Sequence, residues 1–261
     1  VILDFDDDKS RIQLGVKQLS QHPWEAVRFH SWNISPNEAI AIQNNLRKKI
    51  VFSSISNDIQ YIGGTAVAFD AGKNIIHAAL TILKYPSLEV VEQNGVTQEI
   101  NFDYISGLLT FREGSPLMSL FRKTSQDIDL IVFHSHGQSH PRKFGLASHL
   151  GVLLDVPSIG VSNKMLVGSH EHLSQQKHSE KPILLNNEIV GMALRSKENK
   201  KPIYVSTGHR SDLTSAVKLT KHLVKKYRLP EPVRLAQLAA NQQKEGGIID
   251  EVIESRQESL F

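Results

Sequence analysis

Three consecutive strand-like runs in the first half of the chain restrict its fold more than any other feature. "YIGGTAVAFD" (61–70) and "NIIHAALTILKY" (74–85) are rich in apolar and β-branched residues, and the intervening "DAGKN" has the composition of a hairpin turn. "SLEVVEQNGVTQEI" (87–100) predicts a third strand. Strands joined by such short connections pair antiparallel, so we expect several neighbouring antiparallel strands.

The second half of the chain alternates between strands and helices. Helices are expected at 115–126, 145–154 and 211–227, and strands at 129–133, at 158–161, in a hairpin around Asn186-Asn187 and at "PIYVSTGHR" (202–210). Antiparallel strands followed by this alternation predict an α/β fold in which helices flank a mixed central sheet. The length of 261 residues and the hydrophobic content of 40% suit one large domain with its own core.

We expect three regions along the chain. Residues 1–34 are polar, contain both tryptophans, and form an N-terminal extension that docks on the main body; residues 35–235 form the domain; residues 236–261 form a weakly ordered C-terminal tail. The domain begins with a helix, because Ser35 followed by Glu38 has the pattern of a capping box.

Composition excludes some kinds of chemistry and constrains location. The chain has no cysteine, which excludes disulfides, thiolate zinc sites and a cysteine nucleophile. No run approaches the length of a membrane span, and the first residues lack the pattern of a signal peptide, so we expect a cytoplasmic protein without membrane contact. The net charge of +3 permits a polyanionic partner without requiring one.

Three histidines in "HSHGQSH" (134–140) directly follow the predicted strand 129–133. Ligands favour the carboxyl ends of strands in α/β sheets, and His134 and His136 alternate on an extended chain, so both could face one side. Neutral imidazoles bind zinc and similar metals. A polar loop whose histidines bond to the backbone is the alternative, and we favour it because the sequence holds no second well-placed ligand cluster.

A basic turn follows these histidines. "HPRKFG" (140–145) places Arg142 and Lys143 just before a predicted helix, which is typical of a phosphate site and equally of a solvated turn. His149, in the helix, points either back to this loop or outward. The sequence alone leaves both alternatives open.

Three further residues are candidates for chemistry. Tyr104 in "FDYISGLLTFREG" (102–114) is a loop aromatic that either contacts bases or anchors its own loop. Glu113 is either a metal ligand or base, or a surface carboxylate paired with Arg112 or Lys123. His209 stands at a strand-to-helix junction, where it either contacts a phosphate or caps its turn.

Four longer motifs, in order along the chain, resemble the endonuclease V family: "LKYPSLEVVE", "DYISGLLTFRE", "HGQSHPRKFGLASHLGVLLDVPSIGV" and "STGHR" with "KKYRLPEP". The resemblance covers about Ser35 to Leu235. It implies a ribonuclease H-like fold and a metal-dependent nuclease that acts near deoxyinosine in DNA, or near inosine in RNA in some members. In that family a carboxylate cluster holds the divalent metal that activates water.

The chain departs from the family at the implied metal ligands. The family pattern G-x-D-V-x-F reads Gly64 to Phe69 here, with Ala66 in place of the aspartate. The family's D-G-H-G has His134 in place of its aspartate, and the lysine expected after the next strand is Asn163. Glu113 and His209 are the catalytic positions that remain. Because alanine has no ligand atom and imidazole is neutral, we expect no Mg²⁺ site.

The implied binding surface is better preserved. Tyr104 and Ile105 match a strand-separating wedge, although its flanking prolines are Asp103 and Ser106 here, which makes it less rigid. Other positions match a pocket for a flipped base, where Ser135 replaces a glycine, or a phosphate-facing loop. Together the positions implied for nucleic-acid binding are Tyr104, Ile105, Gly107, Ser135, Gly137, His140, Arg142, Lys143, Gly145, His149 and Lys164.

One hypothesis and two alternatives follow. We expect an endonuclease V-like protein that binds DNA, with RNA as a further partner, without ordinary Mg²⁺-dependent nuclease activity and without a cofactor, in DNA repair or in recognition of damage or structure. The first alternative is a divergent endonuclease for deoxyinosine or inosine, in which Glu113, His134 and His136 hold Mn²⁺ or Zn²⁺. The second is a protein-interaction module that recruits partners through residues 1–34 or the C-terminal tail.

Overall fold

A nine-stranded mixed sheet forms the centre of the computed structural model, which describes residues 2–6, 11–14, 30–70, 72–247 and 250–252. In chain order the strands are β1 (Ile2–Asp6), β2 (Arg11–Leu14), β3 (Tyr61–Asp70), β4 (Ile75–Lys84), β5 (Glu89–Glu99), β6 (Leu130–Phe133), β7 (Ser158–Ser162), β8 (Glu180–Leu185), β9 (Glu188–Leu194), β10 (Ile203–Thr207) and β11 (Asp250–Val252). β1 and β2 pair with each other in a two-stranded antiparallel sheet.

The strand order of the large sheet is β11-β5-β4-β3-β6-β7-β10-β9-β8. β3, β4 and β5 pair antiparallel, as the three strand-like runs predict. β6 pairs in parallel with β3 on one side and with β7 on the other, and the other neighbours are antiparallel. The predicted α/β fold with a mixed central sheet is confirmed.

Helices cover this sheet: α1 (Pro36–Leu46), α2 (Leu109–Lys123), α3 (Leu146–Leu154), α4 (Leu213–Leu223) and α5 (Glu231–Lys244). α1 begins as the capping box predicts. The Ser35 hydroxyl accepts a hydrogen bond from the Glu38 backbone N–H, and the Glu38 carboxylate accepts one from the Ser35 backbone N–H at 2.8 Å. None of the helices in the described ranges is both long and apolar enough to cross a bilayer.

The short strand β6 shows why the sheet needs helices on both faces. Successive side chains of a strand point to opposite faces. Ile131 and Phe133 accordingly join one apolar core with α2 and α3, whereas Leu130 and Val132 join another with α4. All four side chains are fully buried. The polar residues that follow this strand are thereby held at one fixed edge of the sheet.

Helix α2 begins at Leu109, earlier than the predicted start at residue 115. The expected start was wrong because Gly114 and Pro116 resemble helix-boundary residues, yet both lie inside the helix. Gly114 meets the Trp32 ring: a Cβ at this position would lie 2.3 Å from Cζ3 of Trp32. The glycine therefore serves a packing contact, and Trp32, in the predicted N-terminal extension, packs against the main body.

Residues 236–244 belong to helix α5, so the prediction of a weakly ordered tail is wrong for them. Ala236, Ala239 and Ala240 recur at helical spacing and are buried. Small side chains give a weak apolar signal in the sequence but allow a helix to approach a sheet closely. They form a continuous packing face once the helix lies on β3 and β4.

Gly64 of β3 shows how close that approach is. A Cβ at Gly64 would lie 2.2 Å from the carbonyl carbon of Pro232, which is far inside van der Waals contact. After α5 the chain returns to the sheet, because β11 pairs with β5 and forms the edge of the sheet. Much of the predicted tail is thus part of the fold. Trp24, the other tryptophan of the predicted extension, lies outside the described residues.

Candidate nucleic-acid interface

A cavity of about 440 Å³ lies where the parallel strands β6 and β7 end. The carboxyl ends of parallel strands meet at one edge of a sheet, which is where α/β proteins place ligand sites. The loop before α2 completes the lining. The cavity is lined by Tyr104, Ile105, Gly107, Leu109, His134, Ser135, His136, His140, Gly145, Leu146, Ser162, Asn163, Lys164, Met165 and Leu166.

The loop that carries Tyr104 is held through one backbone carbonyl. The carbonyl oxygen of Gly107 accepts hydrogen bonds from His140 Nε2 at 2.9 Å, Arg142 Nη2 at 2.5 Å and Gln43 Nε2 at 3.1 Å. Arg142 Nε also donates to Gln43 Oε1 at 2.7 Å. Gly107 has a φ of +80°, which favours glycine. Three donors from two separate segments therefore fix this loop. We call this arrangement the Gly107 clamp.

Tyr104 projects from the clamped loop with 70% of its surface exposed, and it lines the mouth of the cavity. Ile105 is half-buried and packs on a small apolar cluster that includes Phe102, Leu108 and Phe111. The loop thus presents an exposed aromatic ring on a fixed base. The sequence analysis expected a less rigid loop because its flanking prolines are missing. The hydrogen bonds of the Gly107 clamp instead hold this loop.

The floor of the cavity contains a chain of neutral and cationic groups. The Asn163 side-chain amide donates to His134 Nε2 at 3.2 Å, and its carbonyl oxygen accepts a hydrogen bond from Arg228. Burial, followed by the nearby His136 and Arg228, lowers the pKa of His134 to about 4. His134 is therefore uncharged at neutral pH.

Ala66 and Glu113 complete the positions at which the family resemblance implies metal ligands. Ala66 lies on β3, close to the end of β6. The preceding residue, Thr65, pairs with that end: its carbonyl oxygen accepts a hydrogen bond from the His134 backbone N–H at 3.1 Å. Glu113 is 6% exposed within α2, and burial raises its pKa to about 8, against the opposing effect of Arg112. Ala66 has no ligand atom, and His134 is a neutral imidazole already hydrogen-bonded to Asn163, so these positions do not match the carboxylate set that a hard divalent metal prefers.

The alternative ligand set of Glu113, His134 and His136 is not assembled. His136 Nε2 is hydrogen-bonded to the Lys164 carbonyl oxygen at 2.8 Å. Within the described ranges, no three or more His, Asp or Glu side chains form a group that could hold a metal ion. His136 and His140 bond to backbone carbonyls, as the favoured alternative of the sequence analysis expects, whereas His134 bonds to a side-chain amide.

His209 does not line the cavity. Its Nδ1 accepts the backbone N–H of Val51 at 3.2 Å, and its Nε2 donates to Asp155 at 3.0 Å. The side chain is almost fully buried. Arg210 also pairs with Asp155 and, ahead of His209, lowers the pKa of that carboxyl. Both ring nitrogens of His209 thus have protein partners in this structure.

The basic turn is not an open phosphate site. Arg142 belongs to the Gly107 clamp, and Lys143 forms an ion pair with Glu188. His149 is fully buried with Nε2 at 2.8 Å from His30 Nε2, and burial lowers its pKa well below the usual value. Arg142, Lys143 and His149 thus each have a partner within the protein, and of the three His149 is fully buried.

Some of the remaining predicted positions line the cavity, and others support the backbone around it. Gly137 supports the site: a Cβ there would lie 1.9 Å from the Thr207 carbonyl oxygen. Lys164 is exposed at the cavity. The cavity brings together seven of the predicted nucleic-acid-binding positions: Tyr104, Ile105, Gly107, Ser135, His140, Gly145 and Lys164.

Sequence reasoning missed Gln43 and Arg228. Gln43 is a fully buried polar residue of α1, four positions after the buried Ala39, so a polar residue on the apolar face of a predicted helix was its signal. Arg228 lies in the quoted "KKYRLPEP" motif. Its contact with Asn163 joins parts of the chain that no local pattern connects.

Comparison with known proteins agrees with this architecture. The sequence model of the Endonuclease V family matches residues 44–238. Endonuclease V of Gloeobacter violaceus is 39% identical over 222 residues, which cover 84% of this chain and 90% of that relative. The crystal structure of Endonuclease V from Streptomyces avermitilis superposes with a TM-score of 0.79 at 35% identity, covering 84% of this chain and 98% of that one.

A third relative was solved with nucleic acid. Ciona intestinalis Endonuclease V, in complex with a 24mer DNA containing an inosine followed by a ribo-adenosine, has a TM-score of 0.70 and 25% identity, covering 80% of this chain and 98% of that one. The mixed sheet, its flanking helices and the cavity at the strand ends define a ribonuclease H-like α/β protein. The chain belongs to the endonuclease V family.

Proposed function

We propose that this chain is a nucleic-acid-binding member of the endonuclease V family that holds DNA at the cavity without ordinary Mg²⁺-dependent hydrolysis. RNA is a second ligand of the same binding site. One observation carries the proposal: Ala66, His134 and Asn163 occupy the positions of the implied ligands and lysine, beside a cavity that remains open. Its biological setting would be recognition of damage or unusual structure in DNA repair.

The cavity supports binding of a base. Its volume of about 440 Å³ falls in the range of small-molecule sites, about 300–1,000 Å³. Its walls combine apolar side chains with polar groups such as Ser135 and His136, which suits a flat heteroaromatic ring. Tyr104, exposed at the mouth, provides a ring that can stack on the neighbouring base.

The electrostatics oppose a divalent cation at the same place. Neutral His134 is hydrogen-bonded to Asn163, and the Arg228 guanidinium lies one hydrogen bond further. Glu113 is the remaining carboxyl of the implied set, so the site would supply at most one negative charge. A cation placed there would meet a positive neighbour and little compensating negative charge.

The test combines binding with cleavage. Fluorescence anisotropy measures the affinity for labelled DNA and RNA strands with one inosine, and gel analysis measures cleavage with Mg²⁺, Mn²⁺ or Zn²⁺. We expect binding that weakens with salt and no product with Mg²⁺. Tyr104→Ala should lower affinity by about 1–3 kcal/mol, and Tyr104→Phe, which keeps the ring, should retain most of it.

Two outcomes contradict the proposal. No retention of any inosine strand at low salt would remove the binding function. Mg²⁺-dependent product from the unaltered protein, which disappears in Glu113→Ala, would show that the catalytic site works despite its substitutions.

A further inference from the structure

A second groove, of about 490 Å³, shares only Arg228 with the network described above. The groove is formed where the segment after β9 meets the segment after α4. Five cationic side chains and one carboxylate line it together with an exposed aromatic ring. These residues, which we call the basic groove, are Lys177, Lys197, Glu198, Lys200, Lys226, Tyr227 and Arg228.

The charges of the basic groove are not neutralised within the described part of the chain. Glu198 is the single acid among the lining residues, and no ion pair between described residues includes the four lysines. Lys197 donates to the Lys225 carbonyl oxygen, and Arg228 donates to the Pro202 carbonyl oxygen at 2.9 Å. These partners hold Lys197 and Arg228 in position without cancelling their charge, and a groove with uncancelled positive charge favours a polyanion.

Tyr227 adds an aromatic surface to this charge. Half of its surface is exposed. The Arg234 guanidinium carbon lies 4.6 Å from the ring centroid and Lys226 Nζ lies 5.8 Å from it. Arg234 is itself held by Glu231, so the ring rests on a fixed support. An exposed ring among cations is the combination with which proteins bind single-stranded nucleic acid.

Arg228 joins the basic groove to the cavity. Its side chain lines the groove, and the same guanidinium donates to Asn163, which bonds in turn to His134 on the cavity floor. One guanidinium group thus connects the lining of the groove with a residue pair on the cavity floor. The cations next to the cavity at Arg142 and Lys143 are already occupied by protein partners.

We propose that the basic groove binds the single-stranded continuation of the nucleic acid held at the cavity, with phosphates at the lysines and a base stacked on Tyr227. This inference rests on the proposed binding function and identifies where most of the electrostatic affinity arises. It predicts that a single strand binds more tightly than a duplex of the same sequence.

The experiment compares two variants with equal loss of charge. Lys197→Ala/Lys200→Ala/Lys226→Ala removes three cations from the groove, and Lys84→Ala/Lys218→Ala/Lys244→Ala removes three exposed cations elsewhere. Anisotropy is measured over a range of salt concentrations on an inosine-containing strand of roughly 15 nucleotides, near the upper end of single-strand site sizes.

We expect the groove variant to flatten the slope of log K against log salt by about 2, since each lost phosphate contact contributes about 0.7 for single strands. The control variant should leave the slope nearly unchanged. Tyr227→Ala should weaken binding by about 5- to 100-fold, whereas Tyr227→Phe should bind like the unaltered protein.

The outcomes separate this inference from the proposed function. Absence of binding by the unaltered protein would contradict the proposed function itself. Binding that is equally strong and equally salt-dependent in the groove variant would overturn the basic groove alone, and so would a loss confined to the duplex. Equal losses in the groove and control variants would show that total charge, and not this groove, determines the affinity.

Discussion

The loop that borders the cavity and the floor of the cavity are stabilised by different kinds of interaction. At the Gly107 clamp, one carbonyl oxygen accepts hydrogen bonds from Gln43, His140 and Arg142, so the loop has three supports. On the floor, His134 has the side-chain amide of Asn163 as its partner and lies next to Ala66, where the family resemblance implies a carboxylate.

This difference shows that the geometry of a binding site and the charge of a catalytic site can change separately. A loop held by several donors tolerates the loss of one, because the carbonyl oxygen keeps other partners. A metal site depends on the net negative charge of a few ligands, and replacing each buried carboxylate with a neutral residue also removes its desolvation cost. A cavity can therefore keep its shape after its charge has changed.

Restoring the implied carboxylates should produce the largest effect. In Ala66→Asp/His134→Asp the two acids would be buried without a counter-ion, which should lower the free energy of unfolding in EDTA by about 3–5 kcal/mol. Mg²⁺ at about 100 times its dissociation constant should restore about 2.7 kcal/mol of this loss. Thermal unfolding of the variant, with and without Mg²⁺, measures both quantities.

The matched control is Ala66→Asn/His134→Asn, which has similar side-chain volumes without the charges. It should show no dependence of unfolding on Mg²⁺, and neither should the unaltered protein. A Mg²⁺ shift in the unaltered protein would break the comparison, because the floor would then still carry enough charge to bind the ion.

The next largest effect concerns pH and Glu113. Burial raises the folded-state pKa of this carboxyl to about 8, above its ordinary value of 4.5. Between pH 4.5 and about 8 the unfolded chain releases the proton of Glu113, whereas the folded chain retains it. The free energy of unfolding therefore falls as the pH rises, and the stabilising contribution of Glu113 is fully present only below the pKa of the unfolded state. From pH 6.5 to 8 the slope of up to about 1.4 kcal/mol per unit should cost about 2 kcal/mol.

Urea unfolding of the unaltered protein and of Glu113→Gln at the two pH values checks this. The amide stays neutral, so the variant should lack most of the decline. Burial lowers the pKa of His134 and His140 to about 4, so both stay neutral in the folded state, whereas in the unfolded chain they still bind protons near pH 6.5. This opposite contribution is the same in both proteins, so the difference between the two proteins isolates the contribution of Glu113. Parallel declines in the two proteins would show that Glu113 is ionised and that the floor retains one negative ligand.

A smaller loss is expected at the Gly107 clamp. Gly107→Ala would place a side chain at a φ of +80°, with its Cβ 2.9 Å from Arg142 Nη2. Adopting the left-handed conformation should lower the free energy of unfolding by about 1–2 kcal/mol. Gly72→Ala is the matched control, because its Cβ would meet nothing closer than an Asp70 oxygen at 3.8 Å. Equal effects in the two variants would show that the clamp does not constrain its loop.

Much of the fold was predictable because its signals are local. The alternating apolar pattern and turn composition predict β3 to β5, and the Ser35–Glu38 capping box predicts the start of α1. Helix α5 was missed because its packing face consists of alanines, whose burial depends on how closely the helix approaches the sheet. Gly114 was misleading for a similar reason: its role depends on Trp32, far away in the sequence.

The candidate site was predictable residue by residue but not in its connections. Tyr104 and His134 were singled out from motifs, and both line the cavity. That Arg142 bonds to Gly107 instead of facing a phosphate follows from contacts between distant segments, which no spacing rule contains. His209 is the same case, since Val51 and Asp155 occupy its nitrogens.

The smallest effect tests whether the three supports of the Gly107 clamp act independently. Gln43→Ala removes one donor to the Gly107 carbonyl, but His140 and Arg142 still satisfy that oxygen, so the cost in the free energy of unfolding should be about 1 kcal/mol. Arg142→Ala alone should have a similar cost, because its guanidinium bonds to Gly107 and Gln43, while Gln43 bonds to Gly107, Phe144 and Arg142. Urea unfolding of both single variants and the double variant completes a double-mutant cycle.

Because Arg142 and Gln43 also bond to each other, their effects should not add: we expect a coupling energy of about 0.5–1 kcal/mol. Binding of an inosine strand should fall little in either single variant and clearly in the double variant, since His140 alone would then support the loop that carries Tyr104. A single variant that already abolishes binding would mean that the loop depends on one contact. The clamp would then be as sensitive to a single substitution as the implied metal position, and the loop and the floor of the cavity would no longer differ in this respect.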